Sequence, residues 1–224
     1  EIYTLSLHDA LPISIVTIAA YVAESGKAGA LLELSCETDF VGTNPKFTAF
    51  ARDLARVVCE SDPSDVEALK GCAMGKATVA DALTEMIHVI GENMKIVRFQ
   101  RVSVENGALS SYVHLGGKLA DIVMFSFSNA ATAERDEFKT FAHDVAMQVA
   151  ASAPVAARRE DVPAQTIERE KAIYLAQATD SGRPEAIWET IANGKLEKFY
   201  KQIVLTEQVF IKDSSLTKIG RAHV

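Results

Sequence analysis

Apolar residues recur along this chain in two rhythms, an alternation typical of strands and the wider spacing of a helix face. Residues 15–23 form an apolar stretch leading to a turn at Gly26-Lys27, and 28–35 run back from it. That pattern predicts a β-hairpin, with glycine supplying the positive φ of a tight turn. The spacing then changes. Asn44 is placed to cap a helix that starts at Pro45, and Phe47, Phe50, Leu54, Val57 and Val58 fall on one of its faces. A further helix is predicted over 79–90, stopped by Gly91, and then a strand over 94–104 with basic outward positions at Lys95, Arg98 and Arg101.

The same order of elements returns 91 residues later. Tyr21-Val22-Ala23-Glu24-Ser25-Gly26-Lys27 resembles Tyr112-Val113-His114-Leu115-Gly116-Gly117-Lys118, and Phe47–Ala55 resembles Phe138–Ala146 at the same offset. Val58/Val149, Ser61/Ser152 and Pro63/Pro154 continue it. Strands over 108–114 and 119–127 and a helix carrying Phe138, Phe141, Val145 and Val149 make the second copy. The period is too long for a solenoid repeat, so the pattern predicts a duplicated domain. Residues 161–203 break the rhythm. Long polar helices over 162–179 and 184–203, joined at Asp180-Ser181-Gly182-Arg183, predict an antiparallel helical hairpin. Ile167, Ile173, Tyr174 and Ala178 are expected to face Ile187, Trp188, Ile191, Leu196 and Phe199 across it. The expected class is α+β: two duplicated α/β subdomains, each of antiparallel strands with packed helices, and a projecting antiparallel helical hairpin.

The two ends stand apart from these rhythms. Translation of a common short-read sequencing adapter gives the first thirteen residues, and the opposite adapter gives Ile-Gly-Arg-Ala-His-Val at 219–224. Residues 1–14 and 219–224 are therefore expected to be adapter-derived, which leaves 15–218 as the biological segment. The expected divisions are 15–105 for the first subdomain, 106–160 for the second, 161–203 for the hairpin, and 204–218 for a return to the second subdomain.

Composition narrows the partner class. The formal net charge is −7 over 224 residues, with 48% hydrophobic and 24% charged residues. Loss of Glu1, Asp9 and Arg221 with the adapters brings it to −6. This is the balance of a globular protein, and its acidity speaks against a nucleic-acid surface. No apolar run reaches the ~18 residues of a spanning helix, so no membrane role and a cytoplasmic place are expected. Cys36, Cys59 and Cys72 are odd in number and lack a Cys-x-x-Cys spacing, which fits free thiols.

Catalytic chemistry is sparse. Phosphate-loop, dinucleotide, zinc-protease and nucleophile-elbow motifs are all missing. His88, His114 and His143 are isolated and carry no zinc-ligand spacing, so no metal or cofactor is expected, and no catalytic residue. His143 beside Asp144 reads as a helix-surface pair. A Cys36–His114 nucleophile pair is the enzymatic alternative, against the plainer reading of a packed cysteine in a strand. Gly116-Gly117-Lys118 fits either an anion cradle or a hairpin turn.

One connection stands out. Cys36-Glu37-Thr38-Asp39-Phe40-Val41 closes a strand ahead of a capped helix and sets a carboxylate beside a large apolar side chain. Thr38 or Asp39 can make local turn bonds while Phe40 folds back into the core. An exposed Phe40 flanked by an acid would instead suit insertion into a partner's pocket.

ELSCETDFVGTNPKF at 33–47 resembles the signature of the bacterial elongation factor Ts family. Ile90-Gly91-Glu92-Asn93 before an Ile-x-Arg strand, AMQVAASAP at 146–154, EDVPAQTIERE at 160–170, GKLEKFY at 194–200 and FIKD at 210–213 are similar to it too, in the right order. The resemblance implies a guanine nucleotide exchange factor that promotes GDP release from elongation factor Tu, binding it in GDP-bound and nucleotide-free forms, with no covalent step. It also implies a core of two related subdomains and a hairpin that serves dimerisation or partner contacts, so a homodimer through the hairpin is admitted. Thr38, Asp39 and Phe40 match the loop that enters the partner's GTPase domain near its magnesium site. Leu119 and Ala120 match an Ile/Val-Gly pair that presses on the partner, and Gln148 matches a helix position that helps displace its phosphate-binding region. The alternatives are a thiol-dependent enzyme on the same scaffold and a dimeric scaffold protein without exchange activity. Departures from the family pattern are Ala120 for glycine and Asp121 at an apolar strand position, which calls for either an exposed edge or a desolvation cost. Family members also begin with a small three-helix domain and end in a further helix, both expected beyond 15–218.

Overall fold

The computed structural model describes residues 2–6, as backbone, and 15–213. Strand β1 (Ile2–Ser6) comes first. Strands β2 (Ile15–Val22) and β3 (Ala28–Cys36) then form the expected hairpin, in antiparallel register from Ile15↔Cys36 to Val22↔Gly29. A single turn, α1 (Asp39–Gly42), leads into α2 (Pro45–Ser61). The Asn44 side chain accepts from the Lys46 N–H, Pro45 opens the helix, and all five expected face residues are buried against the sheet. After the short α3 (Val66–Gly71) and a small hairpin of β4 (Ala73–Met74) and β5 (Ala77–Thr78), α4 (Val79–Ile90) starts on a reciprocal Thr78–Asp81 capping box. It ends at Gly91, as the sequence predicts. Strand β6 (Lys95–Ser103) pairs with β3, so the first sheet has the order β2-β3-β6.

Not all of the basic positions of β6 face outward. A register shift between Glu33 and Leu34 re-aims the strand, as a bulge does. Arg98 reaches the buried Glu33 carboxylate. Arg101 donates from Nε to the Cys59 carbonyl at 2.8 Å and from Nη1 to Asp62 at 3.3 Å, at the C-terminus of α2. A helix with no basic residue in its own last turn thus borrows a cation from the neighbouring strand.

The second lobe repeats the plan with β7 (Gly107–His114), β8 (Leu119–Ser126) and α5 (Asp136–Ser152). Both ends of α5 lie 91 residues after those of α2, and both helices are followed by a left-handed residue, Asp62 at φ 47° and Ala153 at φ 41°. Its sheet has the order β1-β8-β7. Residues 2–6, expected to be adapter-derived, lie along β8 on the side equivalent to the one β6 takes along β3. An open sheet edge offers unpaired main-chain groups to any extended segment, and Ile-Tyr-Thr-Leu-Ser has strand propensity.

The two lobes share a core. Val16, Ile18, Leu31 and Val102 pack with Leu109, Ala120 and Ile122. Each hairpin turn bonds the other lobe: Ile18 N–H donates to the Gly117 carbonyl and Leu109 N–H to the Gly26 carbonyl, both at 2.7 Å. Gly117 sits at φ 99°, where a Cβ would meet Thr17 Cγ2 at 2.7 Å. Glycine is therefore required there twice over, for conformation and for space.

Both lobes belong to one compact unit, Ile2–Ala150, and a second unit begins at Ala151. Its helices α6 (Ala164–Asp180) and α7 (Trp188–Ile203) pack on one another. The second starts later than expected, because Glu185–Ile187 after Pro184 forms a 3₁₀ turn. The expected seam is thin. Ile173 is 40% and Ile187 38% exposed, whereas Ala178 and Ala192 are fully buried. Arg159 clamps the base of the pair, donating to Glu197 at 2.8 and 2.7 Å and to Glu207, with its guanidinium 4.4 Å from the Tyr200 ring centroid. The whole is α+β, as the sequence pattern indicates.

Candidate functional site

The connection after β3 is built from three directions. Thr38 has extended backbone, φ −126° and ψ 154°, and its hydroxyl accepts from the Val41 N–H at 3.5 Å to cap α1. Behind it stands Glu92, just past the Gly91 stop of α4. One Glu92 oxygen accepts from the Glu37 and Thr38 N–H groups at 3.2 and 3.0 Å, and the other accepts from the Thr38 hydroxyl at 2.5 Å. Asn93 donates from Nδ2 to the Glu37 carboxylate at 2.7 Å. At the far end Thr17 of β2 donates to the Gly42 carbonyl at 3.2 Å, and the Thr43 hydroxyl donates to the Asp39 carbonyl at 3.0 Å.

Tied at both ends, the turn sorts its side chains. Val41 is buried, and Phe40 is 83% exposed. Phe40 therefore does not fold back into the core, and of the two expectations for this loop the outward one holds. Asp39 beside it is exposed and has no hydrogen-bond or ion-pair partner for its side chain among the described residues. The result is a solvated acid next to a large apolar side chain, on a backbone hydrogen-bonded at both ends.

The other expected site residues lie elsewhere. Leu119, half-buried, opens β8 opposite His114. Ala120 is fully buried in the core shared by the lobes, and Gln148 is fully buried in α5. Asp39 and Phe40 thus lie exposed on one loop with Thr38 half-buried beside them, whereas Ala120 and Gln148 present no surface in this conformation. Asp121 is on the α5 side of β8, in step with Phe125, whose ring meets Phe138 and Phe141 at 5.4 and 6.0 Å. It is 0% exposed, neither carboxylate oxygen has a hydrogen-bond partner among the described residues, and burial pushes its pKa up to about 8. Of the two expectations for Asp121, the desolvation cost is the one realised.

The thiol alternative loses its nucleophile. Burial, and then the negative Glu92, raise the Cys36 pKa to about 11, and its Sγ donates to the Thr38 carbonyl at 3.3 Å. His114 instead stacks on Tyr112 at 5.9 Å between centroids and contacts its hydroxyl at 3.3 Å. The Gly116-Gly117-Lys118 turn spends its Gly117 and Lys118 N–H groups on the His114 carbonyl, so it is a hairpin turn and not an anion cradle. Asp144 is buried, not on the helix surface as its pairing with His143 suggested; His143 sits edge-on to Tyr112 at 5.7 Å. Among the described residues no cluster of three metal-ligating side chains occurs, and no helix is long and apolar enough to cross a membrane. Glu92 and Asn93, the posts of the loop, are invisible to spacing arguments because they lie 54 and 56 residues from their partners. The Ile90–Asn93 motif was their one signal.

Comparison with known proteins places these features in a family. A family model described as "Elongation factor TS" matches residues 37–220. The elongation factor Ts of Trichlorobacter lovleyi is 42% identical over 203 residues, which cover 89% of this chain and 65% of the relative. Those of Clostridium botulinum Alaska E43 and Clostridium perfringens SM101 are 39% and 40% identical, over 89% and 90% of this chain. The chain spans 65% of the length of the first of these relatives.

Proposed function

The chain belongs to the elongation factor Ts family, and from that premise we propose that it is a guanine nucleotide exchange factor that promotes GDP release from elongation factor Tu. The observation that carries the reading is Phe40, 83% exposed on a turn tied at both ends, with the exposed carboxylate of Asp39 beside it. An exchange factor works by binding the nucleotide-free partner more tightly than the GDP-bound one, because only a differential affinity moves the equilibrium. Phe40 supplies that difference by wedging between partner helices, where burial of the ring contributes roughly 1.5–3 kcal/mol. Asp39 supplies it by disturbing the water and magnesium network of the partner's own nucleotide site. Leu119 adds contact at the start of β8, and Ala120 and Gln148 act from beneath by shaping the surface over them. No covalent step and no cofactor enter. The partner is a protein in the cytoplasm, and neither nucleic acid nor membrane takes part. The half-exposed Ile173 and Ile187 on the helical pair favour self-association through that element.

Release of fluorescent GDP from purified elongation factor Tu tests the reading with the 224-residue chain. Release accelerates with added protein, and the double substitution Asp39→Ala with Phe40→Ala reduces acceleration more than binding. Normal exchange by the double variant removes the site assignment.

A further inference from the structure

Phe40 gains nothing from exposure unless its backbone is held. A free loop would let the ring collapse onto nearby apolar surface, and every contact with a partner would first have to order it again. The 36–43 segment is too short to hold itself by packing, since its buried apolar side chains are only Cys36 at its start and Val41. Thr17 ties its far end, and what holds its head is a carboxylate from a distant part of the chain. Glu92 takes both main-chain donors at the head of the loop and the Thr38 hydroxyl proton.

The hydroxyl bond matters most. A threonine hydroxyl has one proton and two lone pairs. Glu92 takes the proton at 2.5 Å, so the oxygen meets the Val41 N–H with a lone pair. Glu92 therefore sets the direction of the cap that starts α1, and α1 sets the direction of Phe40. Asn93 fixes the neighbouring Glu37 carboxylate at 2.7 Å and keeps it away from the same donors. Glu92 is itself placed by Gly91, at φ 83°, where α4 stops.

We propose that Glu92, supported by Asn93, is a positioning residue for exchange: it pre-organises the Thr38–Phe40 loop through three charge-assisted hydrogen bonds and touches neither nucleotide nor partner. The inference rests on the exchange reading above and extends it to a residue 52 positions from Phe40 in sequence. Loss of three bonds to one charged acceptor loosens the loop without opening the core, because Val41, Thr17 and the sheet stay in place.

The test uses the full chain with Glu92→Gln and Glu92→Ala, and with Phe40→Ala as the reference. Amide hydrogen exchange at Glu37 and Thr38 speeds up about tenfold in Glu92→Ala and less in Glu92→Gln, which keeps one oxygen acceptor. The maximal GDP release rate from elongation factor Tu falls about tenfold in Glu92→Ala, with the thermal midpoint close to that of the parent. A residue that only stabilised the fold would lower the midpoint and leave the maximal rate at saturation intact. Should Glu92→Ala fail to fold, the near-isosteric Glu92→Gln carries both readouts. Unchanged amide exchange at Glu37 and Thr38 overturns the positioning role. So does an unchanged maximal rate in both Glu92 variants while Phe40→Ala loses activity. If Phe40→Ala is as active as the parent, the exchange reading of the loop fails instead, and the amide exchange alone decides for or against Glu92.

Discussion

Asp121 is a carboxyl group in a place built for a methyl-bearing side chain. Strand β8 is the middle strand of its sheet, α5 lies on the side of Asp121, and no donor among the described residues answers either oxygen. The group is therefore carried protonated near neutral pH, with its pKa raised to about 8 by burial against an unfolded value near 3.9. Between those values the folded chain binds the extra proton, so stability falls as pH rises. The loss is absent below about pH 4 and complete above about pH 8. Asp121→Val should raise stability by several kcal/mol at pH 8 and flatten that slope. Urea midpoints at pH 5 and pH 8 check it, and a parent whose midpoint rises with pH over this range contradicts the assignment. The same principle separates the two chemical candidates at this scale. Cys36 is buried and bonded and stays a thiol, whereas Phe40 and Asp39 are turned out and available.

At the scale of elements, local signals carry most of the fold. The Asn44-Pro45 start, the Thr78–Asp81 box and the Gly91 stop are each spelled within a few residues, because capping is a contact between near neighbours. That is why α2 and α4 are legible in the sequence to the residue at their starts. The bonds that finish the elements are less so. Arg101 reads as an outward strand position, yet it caps α2 across 42 residues, after a register shift that alternation does not announce. Likewise the seam of the helical pair reads as large apolar residues, while the burial falls to Ala178 and Ala192, whose small size permits close approach. In the candidate site, the loop and its composition are visible in the sequence. The orientation of Phe40 is not, since it depends on Glu92. Arg101→Met keeps the stem and removes the donors, and should cost about 1–2 kcal/mol in urea unfolding. A variant as stable as the parent would mean that the α2 terminus is satisfied without it.

Across the Ile2–Ala150 unit the same order of two strands and a helix occurs twice, and the shared core makes the two lobes interdependent. Each hairpin turn lends a carbonyl to the other lobe, and Gly117 is the tightest of these approaches. Gly117→Ala should destabilise the unit by about 3 kcal/mol, from the left-handed φ and from overlap with Thr17 together. Gly116→Ala, with a positive φ but open space around it, should cost only about 1 kcal/mol. Equal costs in thermal unfolding would show that the turn does not dock on β2 as described. Lobes joined this closely give the 36–43 loop a rigid base, which a wedge-like exchange residue requires. The most direct test of that role is GDP release from elongation factor Tu, measured with saturating parent chain and with Phe40→Ala. The account predicts marked acceleration by the parent and little by the variant. No acceleration by the parent, or equal acceleration by both, would contradict it.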